Sequence, residues 1–505
     1  MCSLLDLPIE LLLHILLIMP FDDILKCKRI CKRINQIVSD DTQLQYQIKL
    51  GFNGMVDNAN PNCTLPTIER LKRMSMYEDM WRAAPKKDYY EVQFDGQDVW
   101  EFSRNVLAQA RRSRDLVFVQ LPSIIRQTEQ KRWEISDVGF QIRDFTMDPD
   151  QDLLVILEIQ TNNYTVHLRS LTNGKIHSHA SNPSLRWRDT DSMWADKIRI
   201  AGDYVALAFH PLRPTTPHDL VIWNWKTGNV HLAIYGWFLY VYSFLTVDLV
   251  IVLEVNEIQQ PVALRVISLS SPSPDIKKID DVAYVCRFIL PKMQSEYIPG
   301  YMDIRSEPSP NPPSVYDPKM PFYTDTDKRM FLFTIAALDD FNCLMISGAH
   351  LMRHLRSPRT ESNQHEVTWD KWGPEGCHHF THMDDFDETW LCNVHGTRFV
   401  TPSLGLDDAG FHLFDCNQFS GRDISQSGGY RGDSDQWYLH SDAESGEHDH
   451  AYQEQLHTHM PVRQLSLFDE DTRNKHQAAM LSDDNIVLVG IDDTHATTVF
   501  RVIRR

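Results

Sequence analysis

The rhythm of apolar positions changes near residue 88. Before it, apolar side chains recur at helical spacing. After it, they fall in short runs of Val, Ile, Leu, Phe, Tyr and Trp separated by Gly, Pro, Asn and Asp, the pattern of many short strands. Residues 9–19 are apolar on all sides except at Glu10 and His14. Pro8 suits the first position of a helix, Glu10 favours its positive end, and Pro20 stops it. A surface helix buries one stripe; a helix apolar all round needs two partners. Short helices spanning about 40 residues do not bury enough surface to supply both. The pattern therefore predicts a partner protein at this end of the chain.

A second helix is expected from an Asp22 or Asp23 cap, with Ile24, Leu25, Cys27 and Ile30 inward and Lys26, Lys28 and Arg29 outward. A third runs through Ile34, Ile37 and Val38. Ser39-Asp40-Asp41 caps a fourth through Leu44, Ile48 and Leu50, which Gly51 or Gly54 ends. One more helix is expected over 67–81, before Pro85.

In the strand-rich remainder an acidic residue repeatedly precedes a run of aliphatics. Asp152, Asp203, Asp248 and Asp484 each do so, and Asp340 gives a weaker fifth copy. Their separations of 51, 45, 92 and 144 residues are near one, one, two and three periods of roughly 40–50 residues, the propeller range. Two strands also lead into turns with Gly beside Asn, at Asn173-Gly174 and Gly228-Asn229. Residues 88–505 are therefore expected to form a β-propeller, with seven blades as the preferred count. Units near 294, 388 and 436 are inferred from phase alone. A pair of β-sandwiches is the other arrangement these strands allow.

The N-terminal residues resemble the F-box. The match is Leu7-Pro8-x-Glu10-Leu11-Leu12-x-x-Ile15-Leu16, then Asp23-Ile24, then Ile30-Cys31-Lys32-Arg33, then Ser39-Asp40-Asp41. Ile34 stands where the family usually has an aromatic, and Leu44 and Tyr46 lie near the place of a second usual Trp. Residues 219–228 likewise resemble the end of a WD-type blade, with Ile222-Trp223-Asn224 in place of Val-Trp-Asp. The F-box resemblance implies docking on a Skp-type adaptor, and through it a cullin, in an SCF ubiquitin ligase. It implies contact through Leu7, Pro8, Leu11, Leu12, Ile15, Leu16, Ile30 and Cys31. It also implies a substrate receptor with no catalytic residues of its own. The expected organisation is multidomain: an all-α F-box at 1–50, a helical linker at 51–87 and an all-β WD-like propeller at 88–505. The rival readings are a propeller scaffold outside any ligase and a propeller hydrolase using carboxylates in its channel.

Charge narrows the partners. The 50 Lys and Arg against 69 Asp and Glu leave a net charge of −19, which argues against nucleic acid and anionic membranes as ligands. Residues 366–450 hold 17 acidic and 4 basic side chains, or −13, whereas 1–85 hold 10 of each. That acidic stretch favours a basic protein substrate. Nine Cys without a CxxC pair read as reduced thiols, and so as a cytoplasmic or nuclear protein. Asp6 and Glu10, ahead of the apolar run at 11–19, argue against a signal peptide.

Three further features bear on function. Pro310 and Pro313 form a PxxP, a ligand for an aromatic groove or, more simply, a stiffened loop. Cys377, His378, His379, His382 and Cys392 offer zinc-ligand types but no second paired set, so no metal and no cofactor is expected. A loop at 420–460, rich in Ser, Gly, Asp and His, reads as an exposed insertion. No GxSxG, P-loop, GxGxxG or HExxH occurs.

Overall fold

Two prolines set the spacing of the first helices. Pro8 precedes α1 (Ile9–Leu17), and its carbonyl accepts from the Leu11 and Leu12 N–H at 3.1 and 3.2 Å. Pro20 does the same for α2 (Phe21–Lys28), accepting from Asp23 and Ile24 at 3.1 and 3.0 Å. This corrects the expected start of α2. Asp22 and Asp23 are not its cap but lie in its first turn, where their charge complements the dipole and where they meet Lys26 at 3.4 and 2.7 Å. After α3 (Lys32–Asp40), the Asp41 carboxylate caps α4 (Thr42–Phe52) by accepting from the Gln43 and Leu44 N–H at 3.0 and 2.9 Å. Gly51 lies inside α4 because a Cβ there would sit 2.1 Å from the Phe21 ring. Gly54, at φ +63°, turns the chain out of the helix into the short strand Met55–Asp57. Leu12, Leu16, Ile24, Ile34, Ile37, Val38, Leu44 and Ile48 form the core of this bundle. Ile34 is 4% exposed, so the place of the family's aromatic is filled by an aliphatic core residue.

These observations come from a computed structural model. It describes residues 7–82, 89–95, 99–160, 163–187, 193–211, 216–256, 260–295, 297, 299–312, 317–337, 340–356, 365–380, 393–402, 411–417, 438–440, 451–468, 476, 478–491 and 497–503.

Seven sheets follow, arranged as a propeller, each with four or five antiparallel strands; Ser273–Lys278 and Glu366–Val367 add parallel fifth strands to the third and fourth. Blades 1 to 6 span 100–135, 142–186, 193–236, 242–289, 301–380 and 394–468. Blade 7 takes three strands from 478–503 and its outer strand, Tyr89–Asp95, from the other end of the ring, paired Tyr89 to Ile503 through Asp95 to Thr497. Closing the ring with both ends of the strand-rich region removes two free sheet edges.

The acidic repeat marks one turn of the blade. Asp152, Asp203 and Asp248 sit between the first and second strands of blades 2, 3 and 4. Their carbonyls accept from the N–H of the residue just after the third strand: Leu171, Trp225 and Leu269, at 2.8, 2.9 and 2.8 Å. Asp484 holds the same turn in blade 7, where its side chain reaches Ser123 of blade 1 at 2.8 Å. Gly174 and Gly228 take φ of +70° and +78°, as the two Gly-containing turns require. The Asp340 copy is out of phase, because Asp340 opens the third strand of blade 5 (Asp340–Ser347), not the second (Met330–Ala337). Blade 5 carries chain inserted at 306–329 and at 348–376, and this breaks the period. Position 294 falls in the connection between blades 4 and 5; 388 and 436 lie outside the described residues.

The first of these insertions carries the proline loop. Pro308, Pro310 and Asn311 are buried. Arg329 donates to the Pro308 carbonyl at 2.7 Å, Asn311 accepts from the Gly202 N–H at 3.0 Å and donates to Asp148 at 2.8 Å, and Arg104 reaches the Ser309 carbonyl at 3.3 Å. The segment ties together turns of blades 1, 2 and 3, so Pro310 is part of the propeller interior; Pro313 lies outside the described residues.

Candidate adaptor-docking surface

The bundle spends only part of its apolar surface on its own core. Leu12 and Leu16, at 2% and 4% exposure, face inward. Leu7, Ile15 and Cys31 are half-buried, and Pro8 is exposed. Leu11 is 50% exposed and Ile30 67%, and Ile9 and Ile18 add 47% and 74%. Leu7 is drawn to α3 by its carbonyl, which accepts from Arg33 at 3.3 Å, and both Leu7 and Cys31 pack on the bundle core. Six of the eight residues expected at the docking site thus keep surface outside, and Leu12 and Leu16 hold α1 in place. Ile9 and Ile18 belong to the exposed apolar set and were not singled out in the sequence. Their signal was the all-round apolarity of residues 9–19. Leu16→Ala is expected to cost about 2–5 kcal/mol of bundle stability by leaving a cavity, read as an earlier unfolding transition in chemical denaturation.

The opposite side of the bundle is fixed to the propeller. Tyr46 of α4 donates to Asp57 and to the Pro321 carbonyl at 2.9 and 3.0 Å. Met55–Asp57 pairs with Phe322–Thr324, and Asn58 bonds the carbonyls of Asp317 and Met320 at 2.8 and 2.7 Å. α5 (Thr67–Arg82) lies on the same face, with Met74, Tyr77, Met80 and Trp81 buried in a cluster that includes Phe322, Val400, Leu465 and Leu481. Arg73 bonds the Ile125 carbonyl at 2.9 Å. Arg398, buried in blade 6, donates to the Tyr77 hydroxyl at 2.5 Å and lies 4.3 Å from the Trp81 ring centroid. The segment expected as a linker is thus packed against blades 1, 5, 6 and 7.

The first strands of blades 1, 2, 3, 5 and 6, with residues 306–311, line a cavity of about 110 Å³. Lys197, at φ +54° in a strand bulge, meets Asp303 at 2.8 Å and lies over Tyr240 and Tyr301 at 4.9 and 5.7 Å; Arg305 meets Asp303 at 2.7 Å. Burial alone would raise the Asp303 carboxyl, but Lys197, Arg305 and Arg199 more than offset it and hold it well below the usual carboxylate range. Glu101 goes the other way. Burial, with Glu307 and Asp144 adding repulsion, pushes it up to about 8 despite the Phe102 N–H and Thr146. A raised acid pKa means the folded state binds the extra proton, so stability falls as pH rises from the unfolded value toward 8. Glu101→Gln is expected to flatten that fall, seen as a smaller loss of Tm between pH 5 and 8.

Among the described residues the zinc-ligand types do not converge. Cys377, His378 and His379 alternate along the strand Cys377–Phe380, so successive side chains point to opposite faces. His378 bonds the Met460 carbonyl at 3.1 Å, and His379 meets Asn342 at 3.2 Å. His382 and Cys392 lie outside the described residues. Among the described residues no three His, Cys, Asp or Glu side chains are grouped to hold a metal, and no helix is long and apolar enough to cross a membrane.

The fold is thus a helical bundle with an uncovered apolar face, held on a seven-bladed propeller. Residues 4–45 match the F-box domain family, and the chain is an F-box domain joined to a seven-bladed β-propeller. No curated protein sequence matches the chain. Among solved structures, the fold is similar to an uncharacterized protein from Listeria monocytogenes EGD-e (11% identity, 66% of this chain and 84% of that one, TM-score 0.36). It is also similar to the WD40 domain of SCAP from fission yeast (8% identity, 85% and 95%, TM-score 0.34). A third is Kluyveromyces lactis Hsv2 (10% identity, 49% and 67%, TM-score 0.25). The blade count rests on the strand pairing within this chain, not on these likenesses.

Proposed function

We propose that this chain is the substrate-recognition subunit of an SCF-type ubiquitin ligase. The observation that carries this reading is the F-box match at residues 4–45 together with apolar side chains of that domain left uncovered by the propeller. Leu7, Pro8, Leu11, Ile15, Ile30 and Cys31 supply the contact with a Skp-type adaptor, and Leu12 and Leu16 support α1 beneath them. The chain itself performs no chemistry. It holds a protein substrate near the charged conjugating enzyme, and the rate gain is one of effective concentration.

Substrate binding belongs to the propeller face away from the F-box. The F-box, α5 and the strand Phe322–Thr324 occupy the side of the first-to-second and third-to-fourth strand connections, near Ile125, Leu481 and Ile486. The other connections open on the opposite side. Most of the acidic stretch at 366–450 lies outside the described residues, and its net −13 supports a basic substrate through steering. Reconstitution with adaptor, cullin, RING subunit and conjugating enzyme tests the reading through autoubiquitylation of the chain. Conjugates that require the adaptor are expected; conjugates absent, or unchanged when the adaptor is omitted, contradict it.

A further inference from the structure

The cavity between the first strands carries charge of both signs, on different walls. On the wall of blades 3 and 5, three cations bear on one carboxylate. Lys197 and Arg305 meet Asp303 at 2.8 and 2.7 Å, and Arg199, which donates to the Ile304 carbonyl at 2.8 Å, acts on the same charge. On the wall of blades 1 and 2 the balance reverses. Glu101 of blade 1 feels two further carboxylates, Glu307 of the inserted loop and Asp144 of blade 2. It accepts from the Phe102 N–H at 2.9 Å and from Thr146. Arg104 and Asp148 also line the cavity but are committed elsewhere. Arg104 pairs with Asp150 at 3.3 Å and reaches the Ser309 carbonyl, and Asp148 accepts from Asn311 and Gln151 at 2.8 and 2.9 Å.

A cavity of about 110 Å³ has room for several waters, and so for a molecule of a few heavy atoms. A simple anion there meets the carboxylates of Glu101 and Glu307, and a simple cation meets Lys197, Arg199 and Arg305. A ligand bearing both charges meets a complementary group at each end. We propose that this cavity binds a small zwitterion of the α-amino acid class, its carboxylate toward Lys197, Arg199 and Arg305 and its ammonium toward Glu101 and Glu307. Without ligand, Glu101 is mostly protonated at pH 7, because burial and the two neighbouring carboxylates push it up to about 8. The arriving ammonium supplies a positive charge beside it, so Glu101 gives its proton to solvent and an ion pair forms. Affinity therefore rises as pH goes from about 6 to 8, where more of the free protein already has Glu101 ionised. The bound ligand joins blade 1 to blades 3 and 5 and stabilises the folded chain by mass action.

The test titrates the full chain with glycine and with L-alanine, and separately with acetate and with methylammonium, each of which carries one of the two charges. Thermal denaturation and calorimetry at constant ionic strength are the readouts. A second charged hydrogen bond is worth about ten-fold or more in affinity, so an amino acid is expected to bind at least that much more tightly than acetate or methylammonium, and to raise Tm where they do not. Titration at pH 7 in two buffers of different ionisation enthalpy is expected to show a proton released on binding. Glu101→Gln is expected to abolish that release and to bring glycine down to the affinity of acetate. No binding by either amino acid, acetate bound as tightly as glycine, or binding without proton release would overturn the proposal. If Glu101→Gln fails to fold, the wild-type comparison of the four probes decides by itself.

Discussion

Replacing Leu11 and Ile30 together with aspartate is expected to abolish binding of a Skp-type adaptor while leaving the fold intact. The two halves of this result follow from the same numbers. Leu11 is 50% exposed and Ile30 is 67% exposed, so neither contributes much to the bundle core, and surface changes of this kind move stability by about 0.5 kcal/mol or less. Against an adaptor both become buried. Each large aliphatic is then worth about 1.5–3 kcal/mol, and a carboxylate placed in an apolar contact adds its desolvation cost. A loss of about 3–6 kcal/mol weakens binding by two to four orders of magnitude. Calorimetric titration measures the affinity and thermal denaturation the fold. A drop in Tm as large as that of Leu16→Ala would show instead that the exposed set is structural.

The second large effect is expected at Arg398, far from the docking face. Its guanidinium is buried between Tyr77 and Trp81 of α5 and Asp415 of blade 6, at 3.5 Å from the Asp415 carboxylate. Asp415 also pairs with Arg463 at 2.7 Å. Arg398→Ala removes the cation–π contact and the bond to the Tyr77 hydroxyl and leaves Arg463 as the cation paired with Asp415. Breaking a buried pair costs about 3–5 kcal/mol. Tyr77→Phe, which removes only the hydroxyl and leaves the ring packed against Trp81 and Phe322, is expected to cost about 1 kcal/mol. Chemical denaturation gives both values. In Arg398→Ala, limited proteolysis is also expected to cut between the F-box and the propeller, because α5 has lost its anchor. An unchanged denaturation midpoint in Arg398→Ala would mean that apolar packing alone holds α5.

The F-box was legible because its information is local. Pro8, Pro20 and Asp41 set helix ends through bonds that span four residues or fewer. The blades were legible where a turn repeats unbroken. Asp152, Asp203 and Asp248 mark the same turn through the same backbone bond, so their spacing reports the true period. The period failed at blade 5, where two insertions displaced Asp340 to a different strand. The Asp22 and Asp23 caps failed for another reason: Pro20 already closes the first turn of α2, so the carboxylates are free to pair with Lys26.

The mount of α5 was not legible at all. Its buried face is built from Met74, Tyr77, Met80 and Trp81, and its partners are Met320, Phe322, Val400 and Leu481, several hundred residues away. No local rhythm encodes that pairing, and the charged positions Arg73 and Arg398 that complete it look like ordinary surface in the sequence. The burial of Pro310 was hidden for the same reason, since the turns that receive it belong to blades 1, 2 and 3.

One co-expression measurement bears most directly on the proposed role. The chain and a Skp-type adaptor are produced together and resolved by size exclusion, for wild type and for the Leu11→Asp, Ile30→Asp pair. A one-to-one complex for wild type, and a folded chain running alone for the pair, is the predicted result. A folded wild-type chain that elutes without the adaptor would contradict the role proposed here for residues 4–45.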